Sequence, residues 1–297
     1  MAIRAYFFVE KRSNWHGNGA MRPWMLLANQ IRSFTITVLE VTVQIRAKSS
    51  FQETVISGMR SSKTYFLPEH VGFYSTNSSE SLVFDLSQNI SEILIKAIEE
   101  RGRASLAVSG GSTPKPLFEE LSLLNIDWSK VDLTLVDDRW VDSDHKDSNE
   151  LLVKTHFIKN KAAKVNFIPL KNDAKSAKEG ASLSEDALKG IAMPFDLIIL
   201  GMGADGHTAS LFPCSDELPI GMDLNTKSHL VATTPKTAPH ERISLTAKSI
   251  FEAKRVILHL NGSAKLHTLE EAMSIRDSSK MPIYAFLEQG LDIFWSP

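Results

Sequence analysis

Cysteine occurs once in the 297 residues, at Cys214, so the chain can form neither an internal disulfide nor an all-cysteine zinc site. A reducing compartment fits that usage. Net charge is nearly absent as well. Lys plus Arg number 33 against 35 Asp plus Glu, and no strongly basic surface points to nucleic acid. No apolar run approaches the roughly 20 residues a helix needs to span a bilayer. The N-terminus lacks the charged head, apolar middle and small-residue cleavage site of a secretory signal. Internal repeats and low-complexity tracts are missing. So are the Walker loop G-x-x-x-x-G-K-[ST], the G-x-S-x-G elbow, the H-E-x-x-H pair and any His/Asp group at metal-ligand spacing. These absences lead to the expectation of a soluble, cytoplasmic protein, a monomer or weak homo-oligomer, with no metal, no nucleic acid and no membrane partner.

What is present is a 43% hydrophobic chain, long enough for one large or two modest domains. The first 63 residues stand apart, with nine Lys/Arg against three Asp/Glu and the aperiodic tract "KRSNWHGNGAMRPW". Only "FTITVLEVTVQI" (34–45) alternates like a strand. Residues 1–64 therefore read as an extension dispensable to the chemistry. Three origins stand open: disordered chain, an organellar transit segment, or upstream sequence from too early a start, with Met59 an internal alternative.

From residue 65 the pattern is regular. Apolar residues at 82, 83, 86, 90, 93, 94, 97 and 98 predict an amphipathic helix over 79–101, with Ser79 as cap. Strands are expected at 104–109, 131–137, 165–170, 195–201, 229–234, 242–246, 255–260 and 291–295. Helices are expected from Thr113-Pro114 to Leu124 and over 148–159, 174–189 and 263–275. Strands alternating with helices predict an α/β fold, a mostly parallel sheet covered on both faces, over 65–297.

Three strands end in polar clusters. These are Ser109-Gly110-Gly111-Ser112-Thr113, Asp137-Asp138-Arg139, and "GMGADGH" at 201–207. Ligands of open α/β sheets bind outside the carboxyl ends of strands, so three clusters at such ends should converge on one site. The glycines of "SGGSTP" allow close backbone approach and Thr113 is placed to cap a helix, a geometry suited to phosphate or equally to an ordinary tight turn. Lys236 and Arg242 flank a proline-stiffened loop, as ligands or as solvated surface charges. Gly201-x-Gly203-x-x-Gly206 matches a dinucleotide fingerprint in letters only. It does not open the first βα unit, Asp205 would repel a pyrophosphate, and prolines 213 and 219 fill the window where an acidic strand end should follow. The glycines read better as a sharp turn presenting Asp205 and His207, an imidazole able to act as base and then acid. Cys214 has no basic neighbour in sequence and reads as a packed residue.

The motifs "SGGSTP", "DDRWV", Ser148-Asn149, "GMGADGHTASLFP" and "PKTAPHERISLT" resemble, in order and spacing, those of the 6-phosphogluconolactonases. The related glucosamine-6-phosphate deaminases share "SGGSTP" but carry Tyr where Arg139 stands and Asn-Glu-Pro in place of Leu211-Phe212-Pro213. The resemblance implies a sugar-phosphate isomerase-like fold and hydrolysis of 6-phosphoglucono-δ-lactone in the oxidative pentose phosphate pathway, without a cofactor. It implies His207 as the base that activates water and Arg139 as a catalytic cation. Gly110, Gly111, Ser112, Thr113, Lys236 and Arg242 would hold phosphate and hydroxyls, with Asp137, Asp205, Gly206 and Asn149 in support. Two details depart from the family: Thr and Ala replace prolines in "PKTAPHER", and no aromatic follows Ser148-Asn149. A deaminase or isomerase of amino-sugar phosphates and a non-catalytic sugar-phosphate sensor are the alternatives.

Overall fold

The computed structural model describes residues 33–38, 41–48, 51–58, 65–68 and 70–297. The tract at 11–24 and Met59 lie outside the described residues. The alternating run near the N-terminus forms two strands rather than one, β1 (Ser33–Val38) and β2 (Val41–Lys48), paired antiparallel. They continue into β3 (Phe51–Gly58) and β4 (Tyr65–Phe66), so this four-stranded sheet crosses the 64/65 boundary drawn from composition.

The main body begins with β5 (Gly72–Ser75), α1 (Ser79–Arg101), β6 (Ala104–Val108), α2 (Lys115–Leu123) and β7 (Val131–Leu135). Next come β8 (Asp137–Arg139), α3 (Asn149–His156), β9 (Asn166–Phe167), α4 (Ala177–Leu188) and β10 (Leu197–Leu200). The short α5 (Leu218–Gly221) leads to β11 (Leu230–Thr233), β12 (Arg242–Leu245) and α6 (Ala247–Phe251). The chain closes with β13 (Val256–Asn261), α7 (Ser263–Ile275), α8 (Ile283–Gln289) and β14 (Asp292–Ser296). Seven strands form one parallel sheet in the order β5-β14-β13-β10-β6-β7-β9. β6, β7 and β10 are buried at every position, as strands covered on both faces must be.

Local chemistry explains the element ends. α1 is capped by Ser78, not Ser79: the Ser78 hydroxyl accepts the Ser81 N–H, and Gly102 ends the helix in the left-handed region at φ 80°. Its apolar stripe, Leu82, Leu86, Ile90 and Leu94, is fully buried. α2 begins at Lys115 behind Pro114, and Thr113 makes no side-chain capping bond, contrary to the sequence expectation. The expected strand at 165–170 shrinks to two residues, and the expected strand at 131–137 divides after Leu135. Its continuation, β8, leaves the main sheet and pairs with β12 in a small antiparallel sheet, β11-β12-β8.

The two ends of the main sheet differ in kind. At the amino ends of β6 and β10, Asp196 is 4% exposed and binds Arg101 (2.5 Å), Lys254 (2.7 Å) and the Ser105 N–H (2.9 Å). Asp132 on β7 binds the Arg103 guanidinium. These bonds hold strands together. The carboxyl ends instead carry the turns. The chain runs from β6 outward to β7 and β9, then returns through β10 to β13 and β14 on the other side, so the topological switch lies between β6 and β10. Right-handed crossovers place α2 and α7 on opposite faces of that crevice. No helix among the described residues is long and apolar enough to cross a membrane.

Candidate active site

The turn after β10 is built around its last residue. Gly203 donates its N–H to the His207 carbonyl (2.8 Å), and Gly206 donates to Gly203 O (3.2 Å) with φ at 74°. A side chain at Gly203 would overlap the His207 ring, and one at Gly206 would strike Met281. The glycines are thus needed for close approach and for one left-handed residue. His207 Nδ1 lies 2.5 Å from Asp205 Oδ1, which also accepts the His207 backbone N–H at 3.2 Å. Burial raises the Asp205 carboxyl, but the hydrogen bonds and charge of His207 outweigh it and hold the group below its ordinary value. An ionised carboxylate only accepts, so Nδ1 carries a proton toward Asp205, and in the neutral ring Nε2 is the nitrogen left with a lone pair. Phe212 stacks on the imidazole at 3.9 Å between ring centres, fixing the ring plane.

Two arginines pair on the adjoining small sheet, and one of them reaches the ring that stacks on this histidine. Arg139 and Arg242 are register partners in the β8–β12 pair. The Arg242 guanidinium stands 5.4 Å over the Phe212 ring whose stacking partner is His207. Arg242 is 6% exposed, and burial, together with the like charge of Arg139 and against the pull of Asp137, lowers its pKa from the ordinary value. Arg139 Nη1 donates to Asp147 O at 2.5 Å. The Nε atoms of both arginines are buried without a partner. Unpaired buried donors on two adjacent cations suit an anion arriving from outside.

The third cluster meets the other two through direct contacts. Ser109 Oγ accepts the Gly201 N–H at 3.3 Å, tying the β6 turn to the β10 turn. Gly110 presses against Asn149, whose Oδ1 occupies the space of a Cβ. Asn149 Nδ2 donates to Asp137 O at 2.8 Å, and Ser210 Oγ donates to Asp137 Oδ2 at 2.5 Å. Gly111 sits at φ 99°. The structure therefore brings Gly110, Gly111, Ser112, Thr113, Asp137, Arg139, Asn149, Asp205, Gly206, His207 and Arg242 to one end of the sheet. Lys236 is different. It is an exposed residue whose Nζ pairs with Asp216 at 2.5 Å.

Sequence reasoning missed several residues here. Asp138 is fully buried and accepts N–H groups of Arg139 (2.8 Å), Asn149 (2.7 Å) and Glu150 (3.1 Å), locking the start of α3 to β8. Burial pushes its carboxyl up to about 7, against the pull of those donors. Its position inside "DDR" was the available signal. His145, Asp147 and His240 also meet, with ligand-type atoms within 4.8 Å of one another, a group invisible at sequence spacing because His240 is remote. The His240–Asp147 bond (3.1 Å) accounts for part of that closeness, and Arg139 beside it opposes a metal cation. His259 and Lys265 line the cavity behind the 109–113 turn.

A family profile described as glucosamine-6-phosphate isomerases/6-phosphogluconolactonase matches residues 77–295. A 6-phosphogluconolactonase of Pseudomonas putida is 38% identical over 231 residues, 78% of this chain and 95% of the relative. One of Rhizobium meliloti is 39% identical over 215 residues, 71% of this chain and 93% of the relative. Among solved structures, a 6-phosphogluconolactonase of Shewanella baltica superimposes with a TM-score of 0.75 at 42% identity, covering 78% of this chain and all of that one.

Proposed function

Since the chain belongs to the glucosamine-6-phosphate isomerase/6-phosphogluconolactonase family, we propose that it hydrolyses 6-phosphoglucono-δ-lactone to 6-phosphogluconate in the pentose phosphate pathway. The observation that carries the reading is the Asp205–His207 pair, with Nδ1 committed to the carboxylate, beside two arginines whose Nε donors lack partners.

Nε2 of His207 takes a proton from water as its oxygen attacks the lactone carbonyl carbon. The carbonyl π-electrons move to oxygen, and the arginine pair stabilises the resulting oxyanion. Collapse re-forms the carbonyl and breaks the bond to the ring oxygen, which receives the proton held on Nε2. Lactone plus water thus becomes the open hydroxy acid, which releases a proton as its carboxyl ionises. Asp205 fixes the tautomer and stabilises the imidazolium, a role known from hydrolytic triads. Asp137, held by Ser210, supports the charge of Arg242 and, through its carbonyl, the position of Asn149. The 109–113 turn receives the substrate phosphate. No cofactor enters this chemistry.

The catalytic unit is proposed to be 65–297, acting in the cytoplasm, with 1–64 outside the chemistry; the family match over residues 77–295 lies wholly inside that unit, although β4 pairs back onto β3 across its first residues. The test is a lactone-hydrolysis assay corrected for spontaneous ring opening, run beside an ammonia-release assay on glucosamine-6-phosphate. Enzymatic hydrolysis without ammonia release is the expected result. Ammonia release with no acceleration of hydrolysis would refute it.

A further inference from the structure

Each of the two paired arginines spends a donor on a loop carbonyl. Arg139 Nη1 donates to Asp147 O at 2.5 Å, in the segment 140–148 that joins β8 to α3. Arg242 Nη2 donates to Pro239 O at 3.3 Å, in the segment 234–241 that joins β11 to β12. Neither segment contains a helix or a strand, so each guanidinium is aimed by a loop. A guanidinium is a rigid planar fork, and fixing one terminal nitrogen constrains the direction of its other donors. Loop position therefore sets where the unpartnered Nε donors of both arginines point.

The two loops are joined to each other beside those carbonyls. His240 follows Pro239, and its Nε2 lies 3.1 Å from Asp147 Oδ2. That bond holds the Asp147 carboxyl below its ordinary value, so the ionised carboxylate accepts and Nε2 donates. His145 closes the group. Its Nδ1 accepts the Asp147 N–H at 3.1 Å, and its ring meets the His240 ring edge-on at 5.4 Å between centres. Asp147 thus holds Arg139 through its carbonyl, His145 through its N–H and His240 through its carboxylate. His240 sits at φ 69°, in the left-handed region that a non-glycine residue rarely occupies. Such a conformation persists only where surrounding contacts over-determine it. The base of the loop is fixed by Glu241, whose carbonyl accepts the Trp140 N–H (2.7 Å) and whose Oε2 accepts the Ala177 N–H (2.8 Å). Beyond that base, His240 is held by the Asp147 bond and the His145 ring.

We propose that Asp147 and His240 are positioning residues: their bond clasps together the two loops that aim the Arg139–Arg242 pair at the developing oxyanion. The proposal rests on the hydrolytic reading, but the clasp also has a readout that needs no substrate. The test uses the full chain with Asp147→Ala, His240→Asn, the double variant and His240→Gln. Asp147→Ala keeps the main-chain carbonyl that Arg139 uses. Asparagine tolerates the left-handed region yet is too short to replace Nε2, whereas glutamine carries an amide donor to that position. Initial rates give kcat and KM on 6-phosphogluconolactone. Labelling with phenylglyoxal, read by peptide mass spectrometry, reports how freely Arg139 and Arg242 move. Each breaking variant is expected to lower kcat about 10-fold with KM within about twofold, because the arginines act on transition-state charge. Arg139 and Arg242 should be labelled faster in both. The double variant should fall no further than either single, and His240→Gln should recover most of the loss. Where the wild type hydrolyses the lactone, unchanged kcat in both breaking variants would overturn the proposal, and so would a rise in KM alone. Asp147 and His240 side chains are 39% and 29% exposed, so the variants are expected to keep the wild-type melting temperature. A wild type that does not hydrolyse the lactone would retire the proposed function. The labelling then decides the clasp, and equal rates in wild type and both breaking variants would overturn it.

Discussion

Gly203→Ala is the sharpest test of how the β10 turn positions its histidine. A Cβ at that position would lie 2.2 Å from both Cε1 and Nδ1 of His207 and 2.6 Å from Asp205 Oδ1. Ordinary contact begins at 3.4 Å, so the imidazole must move by about 1.2 Å. The ring is stacked on Phe212 at 3.9 Å, which limits its retreat, and the same Cβ would crowd the Asp205 oxygen it bonds, so the pair must separate or shift together. Gly203 is not among the positive-φ glycines, so alanine adds no backbone strain. Misplacing a reacting group by ~1 Å costs on the order of 10²-fold in rate, equivalent to about 2.7 kcal/mol of barrier. Initial rates corrected for spontaneous opening should therefore show kcat down roughly 10²-fold with the melting temperature little changed. In a His207→Ala background the same change should add almost nothing, since the two act through one ring. Wild-type kcat in Gly203→Ala, or full additivity in the double variant, would refute the positioning argument.

The same geometry makes further predictions. Asp205→Asn should lower kcat by roughly 10²-fold or more, since the amide no longer enforces the tautomer or stabilises the imidazolium; pre-steady-state and steady-state rates would check it. Burial drives His259 down from 6.5 to about 4, so the unfolded chain binds its proton first. Stability should then decline as pH falls through that interval, by up to about 3 kcal/mol from this residue. Chemical denaturation of wild type and His259→Leu over that range should show a shallower slope in the variant; identical slopes would count against the buried neutral state. Asp196→Ala removes an acceptor from two half-exposed cations and the Ser105 N–H, and should cost about 2 kcal/mol in denaturant titration. Because Asp196 sits at the opposite end of the sheet from His207, kcat of the folded fraction should stay within about twofold.

Much of this arrangement was legible before any coordinates. β6 and β10 are short apolar runs because both of their faces are covered, and α1 shows its buried stripe in the spacing of Leu82, Leu86, Ile90 and Leu94. The turn at 201–207 was readable because glycines, an acid and a histidine lie within seven residues of a strand end. The small errors were local ones. Ser78 and Ser79 are chemically identical caps, and only backbone geometry separates them.

What the linear order determined, then, was the periodicity of the strands and helices, their parallel α/β class, and the identity of the polar turns that follow them. These are encoded by neighbours a few residues apart. Tertiary structure alone decided that Asp137–Arg139 leaves the main sheet to set Arg139 opposite Arg242, 103 positions later by the numbering of their pair. It decided that Lys236 turns to Asp216, that Asn149 fills the space beside Gly110, and that His259 and Lys265 face the 109–113 turn. Each of those outcomes depends on which strands become neighbours, and strand adjacency is a long-range result of packing that no local spacing contains.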